Sequence, residues 1–135
     1  MKKLTRTYLL ILIISAVGSI SSCKKSAPYA EAGVTEVTFT FHSPEEGSTI
    51  SVGEEFHVEG IIDANAMMAG WSILITDSLG VTIDEYSDLY EQTQYIFHHH
   101  IFPTSGNIGE MIITVTAFDK NMNALGSESR TVHCQ

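Results

Sequence analysis

The run His98-His99-His100 carries the densest chemistry in the chain. On a β-strand alternate side chains share a face, so His98 and His100 point one way and His99 the other. Two imidazoles at i and i+2 are spaced to chelate Zn²⁺, Cu²⁺ or Ni²⁺, and a tight site needs a third and a fourth ligand. His57 and Glu59, on one face of the segment from Phe56 to Ile62, complete such a set if that segment pairs with the segment from Gln94 to Phe102. Aromatic residues stand on both faces of the His strand: Tyr95, Phe97, His99 and Ile101 against Ile96, His98, His100 and Phe102. The alternation therefore leaves the inward face open. If His99 faces in, it is a hydrogen-bonded core histidine. The competing reading of His98 and His100 is a half-exposed polar face with weak, adventitious metal affinity. His42 and His133 read as ordinary turn and surface residues.

The run Asp119-Lys120-Asn121-Met122-Asn123 starts like a Ca²⁺ loop, with side-chain oxygens at alternate positions. Ala124 and Arg130 stand where the EF-hand needs its Gly and its bidentate Glu, so that motif fails. A solvated hairpin turn is the stronger reading, with a loose Ca²⁺ site shared with Asp63, Asp84 or Asp88 as the alternative. The acids Glu45, Glu46, Glu54, Glu55, Asp84, Glu85, Asp88 and Glu91 fall mostly in turns and read as a solubilising surface. No nucleophile elbow, phosphate-binding Gly loop or Cys/His dyad occurs. Cys134 adjoins His133, but neighbours on a strand face opposite ways, so a buried, inert thiol is expected. A non-enzyme without a resident cofactor is the expectation, with Zn, Cu or Ni at the His strand as the exception.

The elements that must hold these residues alternate in hydropathy. Val37, Phe39 and Phe41 share one face of the first strand, and a turn cluster around Ser43-Pro44 and Gly47 follows. Short strands are expected over Thr49 to Val52 and over Phe56 to Ile62, then a loop from Asp63 to Gly70. Trp71, Ile73 and Ile75 share a face, and Asp77-Ser78-Leu79-Gly80 is a hairpin turn into Val81 to Tyr86. An acidic linker covers Ser87 to Thr93. The His strand ends at Pro103, Met111, Ile113, Val115 and Ala117 line the next strand, and Ser127 to Cys134 closes the domain with Val132 and Cys134 on one side.

That pattern predicts an all-β fold, an immunoglobulin-like antiparallel β-sandwich of about seven or eight strands. A barrel remains the alternative, since alternation does not separate the two. The Trp suits an immunoglobulin-like core, although the Cys pair of antibody domains is missing.

Ahead of this lies a different kind of sequence. Lys2, Lys3 and Arg6 precede the apolar run Tyr8 to Ile14 and a small-residue stretch ending Ile20-Ser21-Ser22-Cys23. The order is that of a secretory signal peptide, too short in its apolar part to span a bilayer. Its end resembles the lipobox of bacterial lipoproteins, which implies that Cys23 is lipidated and becomes the first mature residue. The expected organisation is a signal peptide over 1–22, a lipidated tether over 23–33 and the sandwich over 34–135. In such lipoproteins the lack of Asp after the cysteine goes with an outer-membrane destination. The lack of an acidic run close behind it favours the periplasmic face over the cell surface.

The chain has 135 residues with 16 acids against 7 Lys and Arg, and a net charge of −9. Loss of Lys2, Lys3 and Arg6 with the leader makes the mature chain more acidic still. Phosphate backbones are bound by clustered Lys and Arg, so nucleic acid is excluded as a partner.

Three segments together, "SPEEGSTISVGEEFHVEGIID", "YIFHHHIFP" and "GEMIITVTAFDKNMN", resemble the bacterial immunoglobulin-like lipoprotein domains of unknown function with a His-rich strand. The resemblance runs over roughly residues 36 to 133, and Asn121-Met122-Asn123 departs from the Gly-Asn turn usual there. It implies the sandwich and lipoprotein export, and it brings no activity. The expected function is a non-catalytic cell-envelope lipoprotein, a binding or structural module held to the membrane through lipid on Cys23. An envelope protein or glycan would meet it through loops, with Tyr86, Leu89 and Tyr90 as contact candidates. The alternative is a divalent-metal-binding lipoprotein using His98, His100, His57 and Glu59.

Overall fold

The computed structural model describes residues 33, 34 and 36–135. The expected signal peptide, Cys23 and most of the tether lie outside the described residues. Eight strands form: β1 (Val37–Ser43), β2 (Thr49–Ile50), β3 (Phe56–Met68), β4 (Gly70–Asp77), β5 (Thr82–Asp88), β6 (Gln92–Ile101), β7 (Gly109–Phe118) and β8 (Ala124–Cys134), with one 3₁₀ turn at Ser105–Asn107. They build two sheets, one of three strands in the order β1-β3-β6 and one of five in the order β2-β8-β7-β4-β5. All pairings are antiparallel except the short β2 against β8. Both sheets have edges, so the barrel alternative is excluded, and the architecture is an immunoglobulin-like β-sandwich.

The core follows from period-two alternation on the facing strands. Met111, Ile113, Val115 and Ala117 of β7 are fully buried, as are Ile73 and Ile75 of β4, with Trp71 beside them. From the other sheet come Val58 and Ile62 of β3 and Tyr95, Phe97 and Ile101 of β6. This answers the open question about the His strand: Tyr95, Phe97, His99 and Ile101 face inward, and Ile96, His98 and His100 face out. Gly60 makes that choice physical. It lies opposite Phe97 across β3 and β6, and a Cβ on it would stand 2.3 Å from the Phe97 ring and 2.2 Å from the Thr40 carbonyl oxygen. The missing side chain lets the Phe97 ring lie across β3, edge-on to Phe41 at 5.3 Å and 5.9 Å from Trp71 of the opposite sheet.

Two expectations about the chain path are corrected. The stretch from Asp63 to Gly70 is not a loop: β3 runs on to Met68, and β4 begins at Gly70. Ala64 pairs with Val37 and packs against the core, while Met68 is fully buried opposite Gln92, beyond an irregularity in the β3–β6 register. The linker expected over Ser87 to Thr93 is also shorter, because β5 continues to Asp88 and β6 starts at Gln92. Leu89 covers Gly70 there, at a point where a Cβ would stand 2.5 Å from its Cδ2. The turn at Asp77–Gly80 forms as expected, with the Asp77 carboxylate accepting from the amides of Leu79 and Val81 at 2.8 and 2.9 Å and Gly80 at φ +80°.

Candidate functional site

The outer face of the three-stranded sheet gathers the histidines. In the β3–β6 ladder His57 lies opposite His100 and Glu59 opposite His98, so four side chains of alternating positions meet on one exposed surface. This is the pairing that a metal site on these four residues requires. Its register is tied to the core, since Glu59 and His98 are the immediate neighbours of Gly60 and Phe97 in the same ladder.

The donor atoms converge. His57 Nδ1 is 2.8 Å from His98 Nε2, which is 3.0 Å from Glu59 Oε1, and His57 Nδ1 is 3.6 Å from that same oxygen. His57, His98 and His100 each offer a nitrogen such that the three atoms lie within 4.8 Å of one another. The His100 ring sits 4.4 Å from both the His57 and the His98 rings, which stack on each other at 5.1 Å. Four ligands held at about 2.0–2.1 Å by a tetrahedral ion stand about 3.3 Å apart, and the triangle of His57, His98 and Glu59 brackets that spacing. One N–H on His98 Nε2 aims well at only one of its two neighbours, whereas a cation among the three atoms serves all of them. The donor set of imidazole nitrogens and one carboxylate suits Zn²⁺, Cu²⁺ or Ni²⁺ and not Mg²⁺.

A fifth residue joins from the loop before β3. Glu55 Oε1 lies 2.5 Å from His100 Nδ1. By composition alone Glu55 belongs with the surface acids. The signal was present in Glu55, His57 and Glu59, which recur at every second residue and so share a face.

His99, on the inner face, is half-buried at the open side of the sandwich. Its Nε2 is 2.9 Å from Asp84 Oδ2, and its ring stacks on Tyr86 at 5.2 Å. Asp84 and Tyr86 pair with the inward-facing Ile75 and Ile73, so they too point between the sheets. Two edge strands, β5 and β6, are thereby latched across the gap, with Trp71 5.5 Å from Tyr86. Tyr86 and Tyr90, named from sequence as contact candidates, have such intramolecular roles: Tyr90 packs edge-on to Tyr95 at 5.0 Å. The Tyr95 hydroxyl donates to the Tyr90 carbonyl and lies 3.1 Å from that of Met68, and burial raises its pKa. Tyr86, Leu89 and Tyr90 all keep exposed surface.

Three of the acids considered for Ca²⁺, Asp119, Asp63 and Asp84, have hydrogen-bond partners within the fold. The Asp119 carboxylate accepts from the Asn121 and Asn123 amides at 2.8 Å each and from Asn123 Nδ2 at 2.9 Å, and these bonds hold its pKa below the usual value. Asp63 accepts from Gln94 Nε2 at 2.6 Å, and Asp84 holds His99. The run is a hairpin turn closed on its own first residue. Cys134 is buried and free, facing inward beside Val132, and burial pushes its thiol pKa up. Among the described residues no helix is long and apolar enough to cross a membrane.

No protein-family model matches the chain, and no curated protein matches it. Solved structures do resemble it. The CARDB domain of a Pyrococcus furiosus protein, solved in complex with di-metal ions, is 11% identical, covers 74% of this chain and 88% of its own, and has a TM-score of 0.50. Fibronectin(III)-like modules of Clostridium thermocellum CbhA are 15% identical over 73% of this chain and 96% of theirs, at a TM-score of 0.43. A Niemann-Pick type C2 protein from Japanese carpenter ant is 10% identical over 76% and 91%, at 0.49. At such identities the likeness is one of fold.

Proposed function

We propose that this protein is a non-catalytic, lipid-anchored module of the bacterial cell envelope that binds a divalent transition-metal ion on the outer face of its three-stranded sheet. The observation that carries the reading is the convergence of His57 Nδ1, His98 Nε2 and Glu59 Oε1, with His100 beside them. Zn²⁺, Cu²⁺ and Ni²⁺ are the ions that this donor set suits. The signal peptide and lipobox supply the address: Cys23 carries the lipid, the outer membrane is the destination and the periplasmic side is the favoured face. The kinship with immunoglobulin-like lipoprotein domains bearing a His-rich strand belongs to the same reading. The ligands sit on a solvent-facing sheet where an ion enters and leaves without unfolding, which fits capture or hand-over of metal better than a structural clamp. Tyr86, Leu89 and Tyr90 all keep exposed apolar surface that a protein or glycan partner could meet.

The test is calorimetric titration of Zn²⁺, Cu²⁺ and Ni²⁺ into a tag-free soluble form, Ala32–Gln135, which is a compact unit carrying the whole core. One ion should bind per chain with a Kd below about 1 μM, and the double change His98→Ala/His100→Ala should abolish it. Affinity no better than about 0.1 mM, or binding that survives the double change, would leave the histidines as a polar sheet face and return the search to envelope partners.

A further inference from the structure

Of the two carboxylates at the cluster, Glu59 reaches the nitrogens of both His57 and His98, while Glu55 meets His100. His100 presents Nδ1 to Glu55 Oε1 at 2.5 Å. An imidazole whose Nδ1–H is held by a carboxylate has its lone pair on Nε2, and a carboxylate in that place also raises the basicity of the ligand nitrogen.

The loop that carries Glu55 is fastened to the strand that carries His100. The Gly53 amide donates to the Pro103 carbonyl at 2.8 Å, just beyond the end of β6, and the Val52 amide donates to the Gln135 carbonyl at 2.9 Å, beyond β8. These two backbone hydrogen bonds, both from residues just ahead of Glu55, fix the course of the loop beside the end of β6 and so bring Glu55 to His100. Glu55 and Glu59 together also carry the two negative charges that neutralise one dication.

We propose that Glu55 is a positioning residue for the metal site: it fixes His100 in the Nδ1-protonated tautomer and so turns Nε2 toward the ion shared by His57, His98 and Glu59. This rests on the metal-binding reading above and adds to it which atom of His100 ligates and what selects it. Mixed ligation follows, through Nδ1 of His57 and Nε2 of His98 and His100. Substituting the carboxylate that orients a ligand histidine costs metal affinity about 10- to 100-fold.

The experiment uses Ala32–Gln135 with Zn²⁺ alone as the probe, comparing wild type, Glu55→Ala, Glu55→Gln and Glu59→Gln by calorimetry. The His100 tautomer is read from ¹⁵N–¹H correlations of the imidazoles before and after Zn²⁺ is added. The expected results are an Nδ1–H tautomer of His100 in wild type and about 10- to 100-fold weaker Zn²⁺ binding in Glu55→Ala. Glu55→Gln should recover part of that loss, because an amide oxygen still accepts from Nδ1–H. An unchanged affinity in Glu55→Ala, or an Nε2–H tautomer in wild type, would overturn the proposal. So would a loss in Glu55→Gln as complete as in Glu59→Gln, which would make Glu55 a direct ligand. If the wild-type protein takes up no Zn²⁺, the metal-binding reading falls, while the tautomer measured without metal still decides the role of Glu55.

Discussion

Substituting Gly60→Ala strikes the joint on which both the core and the histidine surface depend. A Cβ at residue 60 would stand 2.2 Å from the Thr40 carbonyl oxygen and 2.3 Å from Phe97 Cζ. Ordinary carbon contacts need about 3.5 Å or more, so relief requires movement of roughly 1 Å. The oxygen belongs to the paired backbone of β1, and Phe97 is fully buried between Phe41 and Trp71. Neither neighbour yields freely. Overpacking of this kind costs about 1–3 kcal/mol, against a gain of about 0.4–1 kcal/mol from the stiffer unfolded chain. A net loss of about 1.3 kcal/mol lowers the Tm of a domain of this size by about 5–10 °C. Thermal unfolding followed by Trp71 fluorescence and circular dichroism measures it. The same change displaces β6 from β3 at the rung next to Glu59 and His98, so Zn²⁺ affinity should weaken as well. A Tm within about 1 °C of wild type would refute the inward placement of Phe97, and with it the register that gathers the histidines.

Cys134 should resist a thiol reagent such as Ellman's in the folded protein and react promptly in denaturant, because burial excludes the reagent and raises the pKa of the thiol; rapid labelling of the native state would contradict its place in the core. Asp119→Ala should lower the Tm at neutral pH by removing the acceptor of the turn hydrogen bonds. The folded-state pKa of Asp119 is depressed, so its contribution is present above the unfolded-state value and is lost as pH falls through the folded one. The difference in Tm between wild type and variant should therefore narrow on acidification, and a difference that widened below pH 4 would refute the assignment.

The strands whose alternation is clean were legible in the sequence. In β4 and β7 large apolar residues line every second position, with Leu74 and Ile112 among the apolar exceptions on the outer faces, and the inner faces are those expected. The second half of β3 was hidden because Asp63 and Asn65 are residues typical of turns. Strand is imposed there by pairing, since Val37 lies opposite Ala64 and the buried Met68 anchors the end. The direction of the His strand was hidden for a different reason. Both faces carry aromatic or aliphatic bulk, and the deciding residue, Gly60, lies 37 positions away and acts only through the ladder. His57 and Glu59 were found because the expected strand order put them beside His98 and His100. Glu55 was passed over because it precedes the strand, in a loop whose course is set by backbone bonds to Pro103 and Gln135. The latch of His99, Asp84 and Tyr86 joins edges of two different sheets, a relation that no local pattern encodes.

The most direct measurement is anomalous diffraction at the zinc edge from crystals of Ala32–Gln135 grown with one equivalent of Zn²⁺. A single strong peak is expected on the outer face of β3 and β6, about 2.0–2.2 Å from His57 Nδ1, His98 Nε2, His100 Nε2 and Glu59 Oε1. A peak elsewhere on the molecule, or none at these four side chains, would contradict the metal-binding reading.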